Sequence, residues 1–78
     1  MKMRLYLGGH LNYFDEQQRA NLEIELVGKQ RLEDVLARLR IPSGEIFLVS
    51  INGELVALED AWIQPDDHVQ LYPPMGGG

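Results

Sequence analysis

The chain has 78 residues, one small domain, and its 45% hydrophobic and 24% charged composition excludes a disordered polar chain. A net charge of −5 and an isoelectric point near 4.8 oppose non-specific binding to nucleic acid or anionic membrane, which need clustered Lys and Arg. Cysteine is absent, which excludes disulfides and thiolate metal sites, and no apolar run approaches the ~20 residues of a membrane span.

The opening MKMRLYL alternates. Met1, Met3, Leu5 and Leu7 fall on one face and Lys2, Arg4 and Tyr6 on the other, the period of a half-buried strand. This start carries no small-residue cleavage site, so a cytoplasmic location is expected rather than secretion. The polar, glycine-punctuated GGHLNYFDEQQRAN reads as a long loop. LEIELV alternates again, with Leu22, Ile24 and Leu26 against Glu23 and Glu25, and Gly28 ends it.

The period then changes. In QRLEDVLARLRI, Leu32, Val35, Leu36 and Leu39 are spaced i, i+3, i+4, i+7, one stripe of an α-helix. Glu33 and Asp34 near its start and Arg38 and Arg40 near its end suit the helix dipole. No Ser, Thr, Asp or Asn stands at the N-cap, which leaves Gly28 as a candidate, and Pro42 stops the helix by about Ile41.

IFLVSI reads as a central strand with Phe47, Val49 and Ile51 inward. Asn52–Gly53 is a strong hairpin signal, and ELVAL is the return strand. EDAWIQPDDH is a connection whose turn lies at Pro65, Asp66 and Asp67. Within it, Trp62 reads as a partly buried core residue, with an interface anchor as the other reading. VQLYPP is the last strand, with Val69 and Leu71 inward and Gln70 and Tyr72 outward; Pro73 and Pro74 end its ladder because neither donates a backbone hydrogen bond. The order β-β-α-β-β-β, with one amphipathic helix, predicts an α+β fold: a mixed sheet packed on one main helix. Residues 1–74 are expected to form the domain and 75–78 a flexible glycine tail.

Side-chain chemistry is sparse. His10 and His68 stand on separate loops with no metal-ligand spacing around them, and they read as surface residues. Glu59–Asp60 and Asp66–Asp67 are acidic pairs suited to solvation or capping. Ser43 and Ser50 have no base nearby in sequence, and Gly8–Gly9 lacks the spacing of a phosphate loop. No catalytic residue and no metal site is expected. The notable chemistry is at the end, PPMGGG. The prolines favour an extended exit, Met75 is adaptable in a groove, and Gly76, Gly77 and Gly78 present no Cβ, so a narrow channel could close around them. Beyond them stands a carboxylate, a poor electrophile until it is activated.

On these residues the chain resembles the ThiS/MoaD family of ubiquitin-like sulfur carriers. VSING resembles the family's V-N-G hairpin, DDHVQLYPP its D-G-D-x-V-x-x-x-P-P, and Gly77–Gly78 its terminal diglycine. Pro73–Pro74 looks more like MoaD, the small subunit of molybdopterin synthase; Asn52–Gly53–Glu54 and the three-glycine end look more like ThiS, the thiamine-thiazole carrier. The resemblance implies the β-grasp fold and a chain that is a co-substrate rather than an enzyme. It implies that a ubiquitin-activating-type enzyme uses ATP to adenylate the Gly78 carboxylate, and that a persulfide donor converts it to a thiocarboxylate. The acceptor is then a molybdopterin synthase large subunit or a thiazole synthase type of enzyme. Gly76, Gly77 and Met75 provide access to partner active sites, Tyr72, Pro73 and Pro74 are possible partner contacts, and the chain binds no cofactor of its own. A protein modifier joined to lysine through Gly78, and a passive interaction module with an idle tail, remain as alternatives.

Overall fold

A computed structural model describes residues 1–74. The expected tail, with Met75, Gly76, Gly77 and Gly78, lies outside the described residues. The elements run β1 (Lys2–Leu7), β2 (Asn21–Glu25), β3 (Gln30–Arg31), α1 (Leu32–Arg38), β4 (Leu48–Ile51), β5 (Glu54–Val56), β6 (Trp62–Ile63) and β7 (His68–Tyr72). Short 3-10 turns occupy Gly9–Phe14, Ser43–Glu45 and Leu58–Asp60.

The main sheet has the order β2-β1-β7-β4-β5. Its central pair, β1 and β7, is parallel, and every other pairing in it is antiparallel. The first and last strands among the described residues thus lie side by side, with β2, the hairpin partner of β1, on one flank and the β4–β5 hairpin on the other. The expected order of main elements is all there. It is joined by β3 and β6, two-residue strands that pair with each other. This is the mixed sheet on one helix that the alternating strands and the single helical stripe demand.

The core is the inward side of that pattern. Met3, Leu5 and Leu7 of β1, Val69 and Leu71 of β7, Val49 of β4 and Leu22 of β2 are buried with Leu32, Val35 and Leu36 of α1. Leu39 and Ile51 are half-buried at the margin of this cluster. The helix is shorter than its periodic pattern. Gln30 and Arg31 are drawn into β3, Arg31 is the N-cap, and no side chain caps the start. Leu32 N–H instead donates to Ala61 O at 3.0 Å, so the backbone beside β6 does what a cap would do. Gly28 plays no part. At the other end Arg40 adopts φ 61°, and Ile41 N–H reaches back to Leu36 O at 3.0 Å, a left-handed helix stop occupied by arginine in place of glycine.

Three inward assignments fail at the rims. Phe47 is 65% exposed. It precedes β4 and donates its N–H to Tyr72 O, which sets it one step beyond Val49 and Leu71, the last core layer at that end. Met1 is likewise exposed beyond Met3, and its amine pairs with Glu25 at 2.6 Å. Trp62 is 47% exposed, because the two-residue alternation of β6 sends the neighbouring Ile63 into the core. The Trp62 ring instead lies beside Lys29 and Arg31, with cations 5.5 and 5.2 Å from its centroid.

The loop after β1 is more ordered than its composition suggests. Its 3-10 turn places Leu11 fully in the core. Further along, the Asp15 carboxylate accepts from the backbone N–H groups of Gln17 and Arg19 and from the Arg19 guanidinium, at 2.9 to 3.1 Å. These bonds, led by the guanidinium, lower its pKa from 3.8 to about 2. Because the folded value is depressed, the stabilisation is fully present above about pH 4 and is lost as pH falls toward 2. Asp15→Asn is expected to remove this acid dependence and to speed exchange of the Gln17 and Arg19 amides at neutral pH. Hydrogen exchange followed by NMR checks both.

Candidate functional site: where the chain leaves the sheet

The end of β7 is held from both sides. Gly8 N–H donates to Leu71 O at 2.8 Å, and Phe47 N–H donates to Tyr72 O at 2.8 Å. Pro73 follows and is buried, although it offers no donor. It is seated over Gly9, where a Cβ would lie 2.6 Å from the Pro73 Cγ. A Cβ at Gly8 would lie 2.8 Å from the Tyr72 ring and 2.9 Å from the Leu71 carbonyl oxygen. Gly8–Gly9 therefore exists to let the first loop cross closely over the end of the last strand. Gly9 also takes φ 54°, a conformation glycine reaches at least cost. Sequence reasoning excluded a phosphate loop here but did not foresee this cradle; only a glycine pair directly after the first strand hinted at it.

The cradle makes a firm base for whatever follows Pro74. Gly9→Ala adds left-handed strain of about 1–2 kcal/mol and pushes on Pro73, so a loss of roughly 1–3 kcal/mol is expected in chemical denaturation. Gly8→Ala is expected to do at least as much, because one of its close neighbours is backbone.

The outer face of the sheet beside this exit is partly apolar. Leu48 stands opposite Tyr72, and Leu55 stands opposite Ser50 on the edge strand. Leu55 is 69% exposed, Leu48 is exposed, and the Tyr72 ring centroid lies 6.0 Å from that of Tyr6. Ser50, on the same outward side, is nonetheless buried. Of the residues expected to meet partners, Tyr72 is half-buried on this face, Pro74 is exposed, and Pro73 serves as the anchor. The expected reactive residue Gly78, and the access residues Gly76, Gly77 and Met75, lie outside the described residues.

The remaining candidates do not converge. His10 Nε2 lies 3.3 Å from Glu45 on the surface. His68 is the first residue of β7 rather than a loop residue, and its backbone N–H donates to Asn52 Oδ1. Asp67 is 7% exposed and accepts from Asn52 Nδ2 and Gln64 N–H, both at 2.9 Å, so it ties the turn before β7 to the Asn52–Gly53 hairpin. Among the described residues no three His, Cys, Asp or Glu side chains gather to hold a metal, and no helix is long and apolar enough to cross a membrane.

The ThiS family model matches residues 11–78. No curated protein matches the chain. Among solved structures, the chain is similar over 100% of both chains to SAMP1 from Haloferax volcanii, with 25% identity and a TM-score of 0.70. It is similar in fold to the thiamine biosynthesis protein ThiS from Geobacter metallireducens, at 20% identity and a TM-score of 0.59 with 100% of both chains covered. It is also similar in fold to a chain of the complex of subunits 1 and 2 of molybdopterin-converting factor from Helicobacter pylori 26695, at 19% identity, a TM-score of 0.62 and 100% of both chains covered. The parallel pairing of the first and last strands, the flanking hairpins and the single helix are the ubiquitin-like β-grasp, and with the match over residues 11–78 the chain belongs to the ThiS family.

Proposed function

We propose that this chain is a cytoplasmic sulfur carrier whose reactive group is the carboxylate of Gly78. The observation that carries the reading is the built exit: β7 is bonded on both sides as far as Tyr72, Pro73 is locked over Gly9, and PMGGG then follows. Family membership supports the same reading. A rigid base followed by a segment that ends in three residues without side chains suits delivery of a chain terminus into another protein's active site.

The cycle has three steps. A carboxylate oxygen of Gly78 attacks the α-phosphorus of ATP in a ubiquitin-activating-type partner, and pyrophosphate leaves. The terminal sulfur of a persulfide donor attacks the acyl carbon and expels AMP, forming an acyl disulfide. A second thiol then cleaves the S–S bond and leaves the thiocarboxylate. The activating energy comes from ATP and the machinery from the partner, so the chain is a co-substrate and not an enzyme. Gly76, Gly77 and Met75 are the segment the partner channel encloses. The outer face around Leu48, Leu55 and Tyr72 is the surface the partner grips, since apolar and aromatic residues form the energetic centre of protein interfaces. The acceptor is a molybdopterin synthase large subunit, the assembly the prolines favour, or next a thiazole synthase.

Appending one residue after Gly78 tests the reading. It moves the carboxylate off the terminal glycine and leaves residues 1–74 untouched. Loss of loading with an unchanged melt is expected. A protein that still interacts and functions with its terminus blocked would instead be a passive module.

A further inference from the structure

The outer face of the sheet changes character along its length. Around the exit it is apolar and aromatic, with Leu48, Leu55, Tyr72 and Tyr6. Toward the start of β7 it is charged. The alternation that buries Met3, Leu5 and Leu7 turns Lys2 and Arg4 outward, and the one that buries Val69 and Leu71 turns His68 outward. Arg4 stands in register with Glu23 of β2 on one side and with His68 of β7 on the other.

The cations at this end are not equally available. The N-terminal amine holds Glu25 at 2.6 Å, and Lys2 reaches across to Glu23 at 3.6 Å. The carboxylates that β2 presents beside Arg4 are thereby engaged. On the other side His68 offers no carboxylate, and Asp67 before it is buried and turned to Asn52 and Gln64. Arg4 itself is exposed and forms no ion pair among the described residues. With Asn21, Glu23 and His68 it lines a cavity of about 220 Å³ on this face.

We propose that Arg4 is a specificity-determining residue for the activating partner, receiving a carboxylate of that enzyme when it grips the outer face. The inference rests on the reading of that face given under the proposed function. A guanidinium matches a carboxylate through two parallel hydrogen bonds, and a partner without the matching charge leaves Arg4 against an apolar or basic surface. Unlike contacts at two ends of one face also fix direction. Tyr72 lies four residues beyond His68, about 13 Å along β7 at ~3.3 Å per residue. A partner that meets apolar side chains at the exit and Arg4 at the far end seats in one orientation, which aims the exit at its active site. Arg4 touches no reacting atom and acts by positioning.

The concentration dependence of loading tests the proposal. The untagged, 15N-labelled chain is titrated into a soluble extract of its host with ATP and a persulfide donor. Initial rates are read by intact mass, and the label separates the chain from unlabelled carriers. Arg4→Gln is expected to raise the KM for the chain about five- to ten-fold at low salt, with the maximal rate and the melt unchanged. The rise of KM with salt is expected to flatten in that variant. Arg4→Lys keeps the charge without the fork, and an intermediate rise of about two- to three-fold is expected; it carries the test if Arg4→Gln fails to fold. Arg38→Gln makes the same change in net charge on the helix side, and its KM is expected to stay that of the wild type. An unchanged KM in the folded Arg4 variants, an equal rise in Arg38→Gln, or a change in the ATP dependence in place of the chain's would each overturn the proposal and leave the sulfur-carrier reading standing. No loading of the wild-type chain, in an extract that loads a competent control carrier, would overturn both.

Discussion

Removing Gly78 is expected to abolish sulfur loading completely while leaving the melting transition within about 1 °C of the intact chain. The two halves of that expectation rest on different facts. Loading fails because the carboxylate retreats by one residue, about 3.3–3.6 Å along an extended chain. A reacting atom misplaced by even ~1 Å costs on the order of a hundredfold in rate. Stability holds because the core is complete by Pro73: Val69 and Leu71 are buried, Tyr72 is bonded to Phe47, and Pro73 sits over Gly9. Thermal melting and intact-mass analysis of the same sample check both halves. A fall of several degrees would place the end of the chain within the fold.

Leu36→Ala is expected to do the reverse, costing about 2–5 kcal/mol of stability with no direct effect on the exit. Leu36 is 1% exposed at the centre of the α1 stripe, between Leu32 and Val35 on one side and Ile41 on the other. Truncation removes three buried carbons and leaves a cavity that a single short helix cannot collapse. For a domain of this size each kcal/mol moves the midpoint by roughly 4–8 °C, so a fall of at least about 8 °C follows. A loss well below ~1 kcal/mol would mean that this face of α1 does not pack on the sheet. The two variants therefore separate the parts of the molecule: one removes chemistry and keeps the fold, the other weakens the fold and keeps the chemistry.

Most of the architecture was legible because small domains write their cores as periodic patterns. Alternation located β1, β2 and β7, the β-branched and aromatic run IFLVSI located β4, the Asn52–Gly53 turn closed the β4–β5 hairpin, and the leucine stripe located α1. What escaped was tertiary. β3 and β6 are two residues each, too short for any period, and they exist because Gln30–Arg31 and Trp62–Ile63 come together in space. Phe47 continues the inward alternation of β4, yet the core ends one layer before it. A lone Trp62 in a small domain read as partly buried core, and the neighbouring isoleucine took the place. The role of Gly8–Gly9 was invisible because the crowding that requires it comes from Leu71, Tyr72 and Pro73, more than sixty residues away. The candidate site shows the same division. Terminal glycines and prolines are plain in the sequence, whereas the grip that fixes their point of departure appears only in the fold.

The central claim is that the terminal carboxylate of Gly78 accepts sulfur, and intact mass tests it most directly. The untagged chain is incubated with ATP, a persulfide donor and a soluble extract of its host, then weighed beside the Gly78 deletion. Exchange of one oxygen for one sulfur in the intact chain, absent from the deletion, is the predicted result. An unchanged mass in an extract that loads a competent control carrier would contradict it. A mass increase matching attachment to a lysine of another protein would instead mark Gly78 as the joining point of a modifier.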